Sequence, residues 1–209
     1  MEIPVIRLKD AAFRSGDILV HHAWYPDGTP VSPVDVVVAE IGRGSKPLGA
    51  CHVAMVDATP EGAMVVEMTP PEGRCVPIED RVKKFPATVH WLRVPGVVAL
   101  AYDSSERPEV HFYDGAAAVR RMRSYIGRPY GWSTIAKDWL ASSWTRWLMH
   151  LPNDSEVADW VPVCSVALMD SVQEGFGGWD LERDLNVVAA QPEDVNRVAI
   201  FKDMGGLVL

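Results

Sequence analysis

Cys164, His52 and Glu67 are the residues whose types and settings suit a covalent reaction at a carbonyl. Cys164 stands in VPVCSVALMD, where Pro162 precedes Val166, Ala167, Met169 and Val172 at helical spacing, so the spacing predicts a helix with the cysteine in its first turn and Gly175 as its stop. Unpaired N–H groups and the helix dipole favour negative charge there, and the thiolate is the attacking form of cysteine. An imidazole must complete the activation. Without one, such a cysteine is a small buried hydrophobe, so the partner decides between the two readings. Among six histidines, His52 lies inside the β-type run CHVAMVD. Alternation puts His52, Ala54 and Val56 on one strand face and Cys51, Val53 and Met55 on the other. The turn-rich DATPEGA joins this run to AMVVEM as a hairpin loop would, and closure near residue 60 sets His52 opposite Glu67 or within a residue of it. A carboxylate there orients the imidazole as the third member of a triad does. The alternative leaves Glu67 on a solvated strand face and His52 half buried on a backbone partner, and period alone keeps both open.

The other candidates carry less. Cys51 is expected to point away from a site that His52 faces, and Cys75, in PEGRCVP, has no aligned base. Three cysteines without CxxC spacing suggest neither a disulfide framework nor a zinc ribbon and fit a reducing compartment. The chain also lacks GxSxG, a P-loop, GxGxxG after a strand and HExxH, the signatures of serine hydrolases, nucleotide enzymes and zincins. No cofactor or metal is expected. His21 and His22 after GDILV either line the same cleft or lie on the surface, and His90, His111 and His150 have no patterned company. Arg120, Arg121, Arg123 and Arg128 read as a solvated helix face, with anion recognition as the alternative.

The elements that must position these residues follow from period. The first half reads as short β-type segments, Asp17 to His21, Val34 to Ile41, His52 to Asp57, Ala63 to Met68 and Thr88 to Val94, separated by the loops 26–33 and 42–49. From Asp114 the pattern turns helical: a first helix through GAAAVRRMRSYI stopped by Gly127, a second over Ser133 to His150, and the third that carries Cys164. The second places Trp132, Trp139, Trp144 and Trp147 on one stripe, which either packs in the core or borders a groove. A short strand is expected over Arg197 to Lys202. With 209 residues the chain supports a real core as one domain. Its net charge of −8 argues against nucleic acid. No apolar run approaches a membrane span, and the N-terminus has no signal-like segment, so a cytoplasmic protein is expected, with membrane-surface contact left open.

Four pieces in order carry a resemblance: Ser15-Gly16-Asp17-Ile18-Leu19, Cys51-His52-Val53-Ala54-Met55-Val56, Gly127-Arg128-Pro129-Tyr130-Gly131-Trp132 and Cys164-Ser165. Together they resemble the NlpC-type branch of papain-fold cysteine hydrolases. With the histidine ahead of the cysteine, the chain is similar to the circularly permuted group that includes the YiiX and YebB-like proteins and the lecithin:retinol acyltransferase-like enzymes. The resemblance implies Cys164 as nucleophile, His52 as base and Glu67 as the polar residue on the next strand, with no cofactor. Tyr130 and Trp132, with Trp144 and Trp147 of the second helix, are then expected on the substrate side. Three departures stand out: Val163 where relatives often have Tyr or Asp, Cys51 where they have Ser, and Val166 after Ser165. Pattern and resemblance together imply an α+β fold, an antiparallel sheet or partial barrel packed against helices, in one permuted papain-like domain over residues 1–209. The expected function is a cysteine peptidase or amidase acting on a peptide, peptidoglycan-like or acyl-lipid substrate. The alternatives are a lipid acyltransferase or thioesterase-like enzyme and an inactive peptide- or lipid-binding module.

Overall fold

The computed structural model describes residues 4–41, 48–85, 88–100, 109–131, 163–178, 192–198 and 200–209. Its main sheet has seven strands in the order β1 (Val5–Arg7), β9 (Lys202–Val208), β6 (Val89–Arg93), β2 (Ile18–His22), β3 (Ala50–Thr59), β4 (Gly62–Thr69) and β5 (Glu72–Pro77). Neighbours are antiparallel except β1 and β9. A separate ribbon pairs β7 (Val97–Leu100) with β8 (Glu109–Phe112). The hairpin expected through DATPEGA closes with Thr59 opposite Gly62, where Gly62 takes φ 140° and the Thr59 hydroxyl donates to its carbonyl at 2.9 Å.

Alternation gives the sheet two buried faces. Ile18, Val20, Val53, Met55, Val66 and Met68 meet α3 (Gly115–Arg123) and α4 (Cys164–Gly175) through Met122, Ala167, Leu168 and Val172. On the other face Leu19, Ala54, Val56, Val65 and Trp91 pack with Ile78 and Val82 of α2 (Ile78–Lys84). The short α5 (Pro192–Arg197) buries Val195 against the first face, and its Glu193 accepts the Ala50 N–H at 2.9 Å where β3 begins. A mostly antiparallel sheet packed between helices is the α+β arrangement expected. No helix among the described residues is long and apolar enough to cross a membrane.

Several elements depart from expectation. Residues 34–41 form not a strand but α1 (Pro33–Ile41). Ser32 supplies the start signal, accepting the Asp35 N–H at 3.1 Å and donating to its carboxylate at 2.6 Å, with Pro33 at the first helical position. The helix buries Ala39 against Ala23, Trp24 and Cys51, and this packing outweighs the strand preference of its valines. The tail strand expected over Arg197 to Lys202 is instead the boundary between α5 and β9. In α3 the Asp114 side chain accepts the Ala116 and Ala117 N–H groups at 2.9 and 3.0 Å, and the helix ends at Arg123, before Gly127. Helix α4 begins at Cys164 as its spacing predicts. The helix expected over Ser133 to His150, with Trp144 and Trp147, lies outside the described residues, as does Trp132.

Candidate active site

Hairpin register delivers the imidazole to its carboxylate. Pairing runs to Met55 opposite Val66, and one further step sets Ala54 across from Glu67. His52 is therefore the diagonal neighbour of Glu67 on the same face, not the residue directly opposite or next to it. The ring spans this diagonal, and Nε2 donates to Glu67 Oε2 at 2.9 Å. Glu67 is 1% exposed, which overturns the solvated-face reading. Arg74, directly opposite on β5, donates from Nε to Oε1 at 2.9 Å, and the Arg81 guanidinium of α2 donates to Oε2. Burial pushes this carboxyl up, but the hydrogen bond and charge of His52, with the Arg81 charge, outweigh it and hold Glu67 well below the usual carboxylate range.

Cys164 meets the ring where the sheet opens. The Val56 N–H donates to Asp17 O on the β2 side at 2.7 Å, so alternation turns the Val53 N–H toward β4, beyond the end of the Met55–Val66 pairing. The Cys164 sulfur takes that place, hydrogen-bonded by the Val53 N–H, the His52 ring and the Tyr130 hydroxyl. With Nε2 held by Glu67, Nδ1 is the nitrogen left for the sulfur. Cys164 is 3% exposed. Burial pushes its thiol up, yet the His52 charge and hydrogen bond, helped by Val53 and Tyr130, bring it below the ordinary cysteine value. His52 moves the other way: burial lowers it, but Cys164 and then Glu67 push it up to about 9. Opposed shifts of this kind describe a thiolate–imidazolium pair.

Tyr130 is fixed from β5. The Gly127 N–H donates to Gly73 O at 2.8 Å, the Gly73 N–H to Arg128 O at 3.0 Å, and the Tyr130 N–H to Pro71 O at 2.8 Å. A Cβ on Gly73 would fall 2.2 Å from Tyr125 O, so the close approach of this segment requires glycine. Cys51 sits under α1, its thiol donating to His21 O at 3.3 Å and pushed up by burial. Cys75 lies opposite Val66, also pushed up by burial. Asp17 of the Gly-Asp pair is structural: it accepts from Trp91 Nε1 and Arg14 N at 2.9 Å and from Arg93. Arg120, Arg121, Arg123 and Arg128 stand exposed, as a solvated face would, while Arg121 and Arg123 also pair with Asp170 and Asp57 and tie α3 to α4 and β3. Sequence reasoning missed Arg81, whose signal was its place between Ile78 and Val82 on the apolar side of α2, and it left His21 open. His21 is buried opposite His52, their ring centroids 5.3 Å apart. Among the described residues no group of three or more His, Cys, Asp or Glu is arranged to hold a metal ion.

No family model and no curated protein matches the sequence. The fold is similar to the crystal structure of metalloprotein yiiX from Escherichia coli O157:H7, with a TM-score of 0.56 at 13% identity over 94% of this chain and 98% of that one.

Proposed function

We propose that this protein is a cysteine hydrolase of the permuted, NlpC-type papain-like kind, acting on an amide or ester carbonyl with Cys164 as nucleophile, His52 as base and Glu67 as its orienting group. The observation that carries the reading is the His52 ring itself, with one nitrogen on a buried carboxylate and the other on the side of the Cys164 thiol. The Cys164 thiolate adds to the carbonyl carbon, forming the C–S bond and an oxyanion. Helix α4 has no side-chain cap at Val163, so its first-turn N–H groups, that of Cys164 included, and the Tyr130 hydroxyl are the donors suited to the oxyanion. His52 gives its proton to the leaving nitrogen or oxygen as that bond breaks. A water then attacks the acyl-enzyme, yields a proton to His52 and returns the thiolate. Glu67, clamped by Arg74 and Arg81, keeps the ring in one orientation throughout. The YiiX-like fold and the order of histidine before cysteine support the permuted reading. YiiX is a metalloprotein; among the described residues of this chain no three His, Cys, Asp or Glu side chains are grouped as metal ligands.

The substrate class is a peptide or peptidoglycan-like amide, with acyl lipids second. A panel of stem peptides, peptide amides, p-nitrophenyl esters and phospholipids, with Cys164→Ala as blank, tests it. Turnover that vanishes in Cys164→Ala with the fold intact is expected, and full residual activity overturns the cysteine mechanism. The low exposure of Cys164 favours a second reading, a binding module of the same fold. That reading predicts no turnover and no faster alkylation of Cys164 than of Cys51.

A further inference from the structure

A cavity of about 150 Å³ opens beside His52, between α1, α2 and the adjoining ends of β2 and β3. Val34 and Val38 of α1 form one wall, Lys84 and Phe85 the other, and His21 and His52 the floor. Tyr130, which touches the Cys164 sulfur, closes the end nearest the thiol. Space of this size holds a single benzene-sized group. One floor residue is unusual. His21 is 3% exposed, and neither of its ring nitrogens has a hydrogen-bond partner among the described residues. Burial, with the charges of His52 and Arg81, keeps it neutral, so it presents one donor and one acceptor. A buried polar group left unpaired is costly and calls for an explanation, and the ring faces the Phe85 edge at 5.3 Å, an apolar neighbour that satisfies neither nitrogen.

We propose that this cavity is the subsite for the substrate group next to the scissile bond, that it takes one compact ring-sized side chain and not a long acyl chain, and that His21 supplies the hydrogen bond that orients it. The proposal rests on the hydrolase reading for the reaction, while the binding it predicts does not require turnover. Its partner is a neutral amide-bearing group, because a neutral imidazole matches an N–H or a C=O equally and a hydrocarbon chain leaves both nitrogens unpaired.

Two probes test it. Iodoacetamide and its N-benzyl and N-octyl derivatives alkylate a thiolate, the C–S bond forming as iodide leaves, and mapping by mass spectrometry gives the rate at Cys164 alone. N-benzyl iodoacetamide is expected to label Cys164 at least tenfold faster than iodoacetamide, with saturation, and the N-octyl reagent more slowly than the N-benzyl one. In Val38→Phe, which fills the cavity, the benzyl-to-plain ratio falls toward one. An unchanged ratio places the group elsewhere, and an N-octyl rate equal to the benzyl rate overturns the compact subsite. N-benzylacetamide, unreactive, reads the same subsite by equilibrium binding whether or not Cys164 is a nucleophile. It is expected to bind wild type, to move the ¹⁵N resonances of His21, to weaken about tenfold in His21→Phe, the scale of one hydrogen bond, and to be lost in Val38→Phe. Slow plain alkylation with N-benzylacetamide still bound removes the hydrolase reading and leaves the subsite; fast plain alkylation with no binding does the reverse; and unshifted His21 resonances with undiminished affinity in His21→Phe remove His21.

Discussion

The reactivity of Cys164 is set by three groups that meet it from different elements: the His52 ring, the Val53 N–H and the Tyr130 hydroxyl. An ordinary cysteine thiol titrates near 8.5, so alkylation of a free thiol falls about tenfold per pH unit below that value. Here the thiol is lowered and the imidazole raised to about 9, so the ion pair persists between the two titrations. Alkylation of Cys164 by iodoacetamide is expected to fall off at lower pH than that of Cys51 and Cys75, whose thiols are raised, and an ordinary thiol profile would contradict the pair. Turnover should fall above pH 9, where His52 loses the proton that the leaving group requires. At the same site Glu67→Gln should slow turnover while leaving some activity, because an orienting group holds the ring but moves no proton. His52→Ala should cost about 1,000-fold or more. Equal losses in steady-state kcat/KM for the two variants would assign Glu67 a role beyond orientation.

Helix α2 supplies what the hairpin alone cannot. Its Arg81, 5% exposed, shares Glu67 Oε2 with His52 and lies over the Phe85 ring at 5.0 Å. Arg81→Met removes a buried partner while keeping the apolar stem. Because Arg74 and His52 still hold Glu67, the loss belongs at the lower end of the about 3–5 kcal/mol typical of breaking a buried pair. Arg74 has a 42% exposed side chain, so Arg74→Gln should cost under about 1 kcal/mol. Urea unfolding of the two variants checks the difference, and equal stabilities would place Arg81 outside the clamp. The sequence disclosed Cys164 at a helix start and the β3–β4 hairpin because each depends on local spacing and turn chemistry. The diagonal from His52 to Glu67 was less legible, since it depends on closure at Thr59 and Gly62, and one step of register there changes which residue lies opposite. Helix α1 was hidden by its valines, whose strand preference yields to the Ser32 cap and the pocket around Ala39. Arg81 was obscured in IEDRVKK, a charged string in which its place between Ile78 and Val82 is the one local sign that it is buried.

At the scale of the whole molecule, His52 opposes the other buried histidines and the clamped carboxylate in its response to pH. His22 is held down to about 3 by burial first and then by its neighbour His90, its Nδ1 donating to Leu48 O at 2.8 Å and its ring edge-on to His90 at 4.4 Å. The unfolded chain binds that proton near pH 6.5, so the stability that follows from keeping His22 neutral is present above 6.5 and is lost as pH falls toward 3. His21 acts in the same direction. Glu67, lowered in the folded state, contributes stability above the usual carboxylate range and loses it as acid protonates the clamp. His52 has the opposite sign: raised to about 9, it stabilises the fold fully below its unfolded value near 6.5 and loses that contribution as pH rises through 9. The lowered Cys164 thiol acts in the opposite sense to His52 up to its unfolded value near 8.5, so stability should be level from about pH 6.5 to pH 8.5, fall in acid, and decline again only as pH rises through 9. A chain of this length loses about 2–4 °C of Tm per kcal/mol, so thermal melts at pH 4.5 should lie at least about 5 °C below those at pH 7. In His22→Phe, which packs against His90 without a proton to bind, the acid side of the curve should flatten while the alkaline decline remains. In His52→Gln the alkaline decline should disappear while the acid side remains. If a single variant flattened both limbs, the two effects would share one group, and the separation of the His22 environment from the His52–Glu67–Cys164 chain would be wrong.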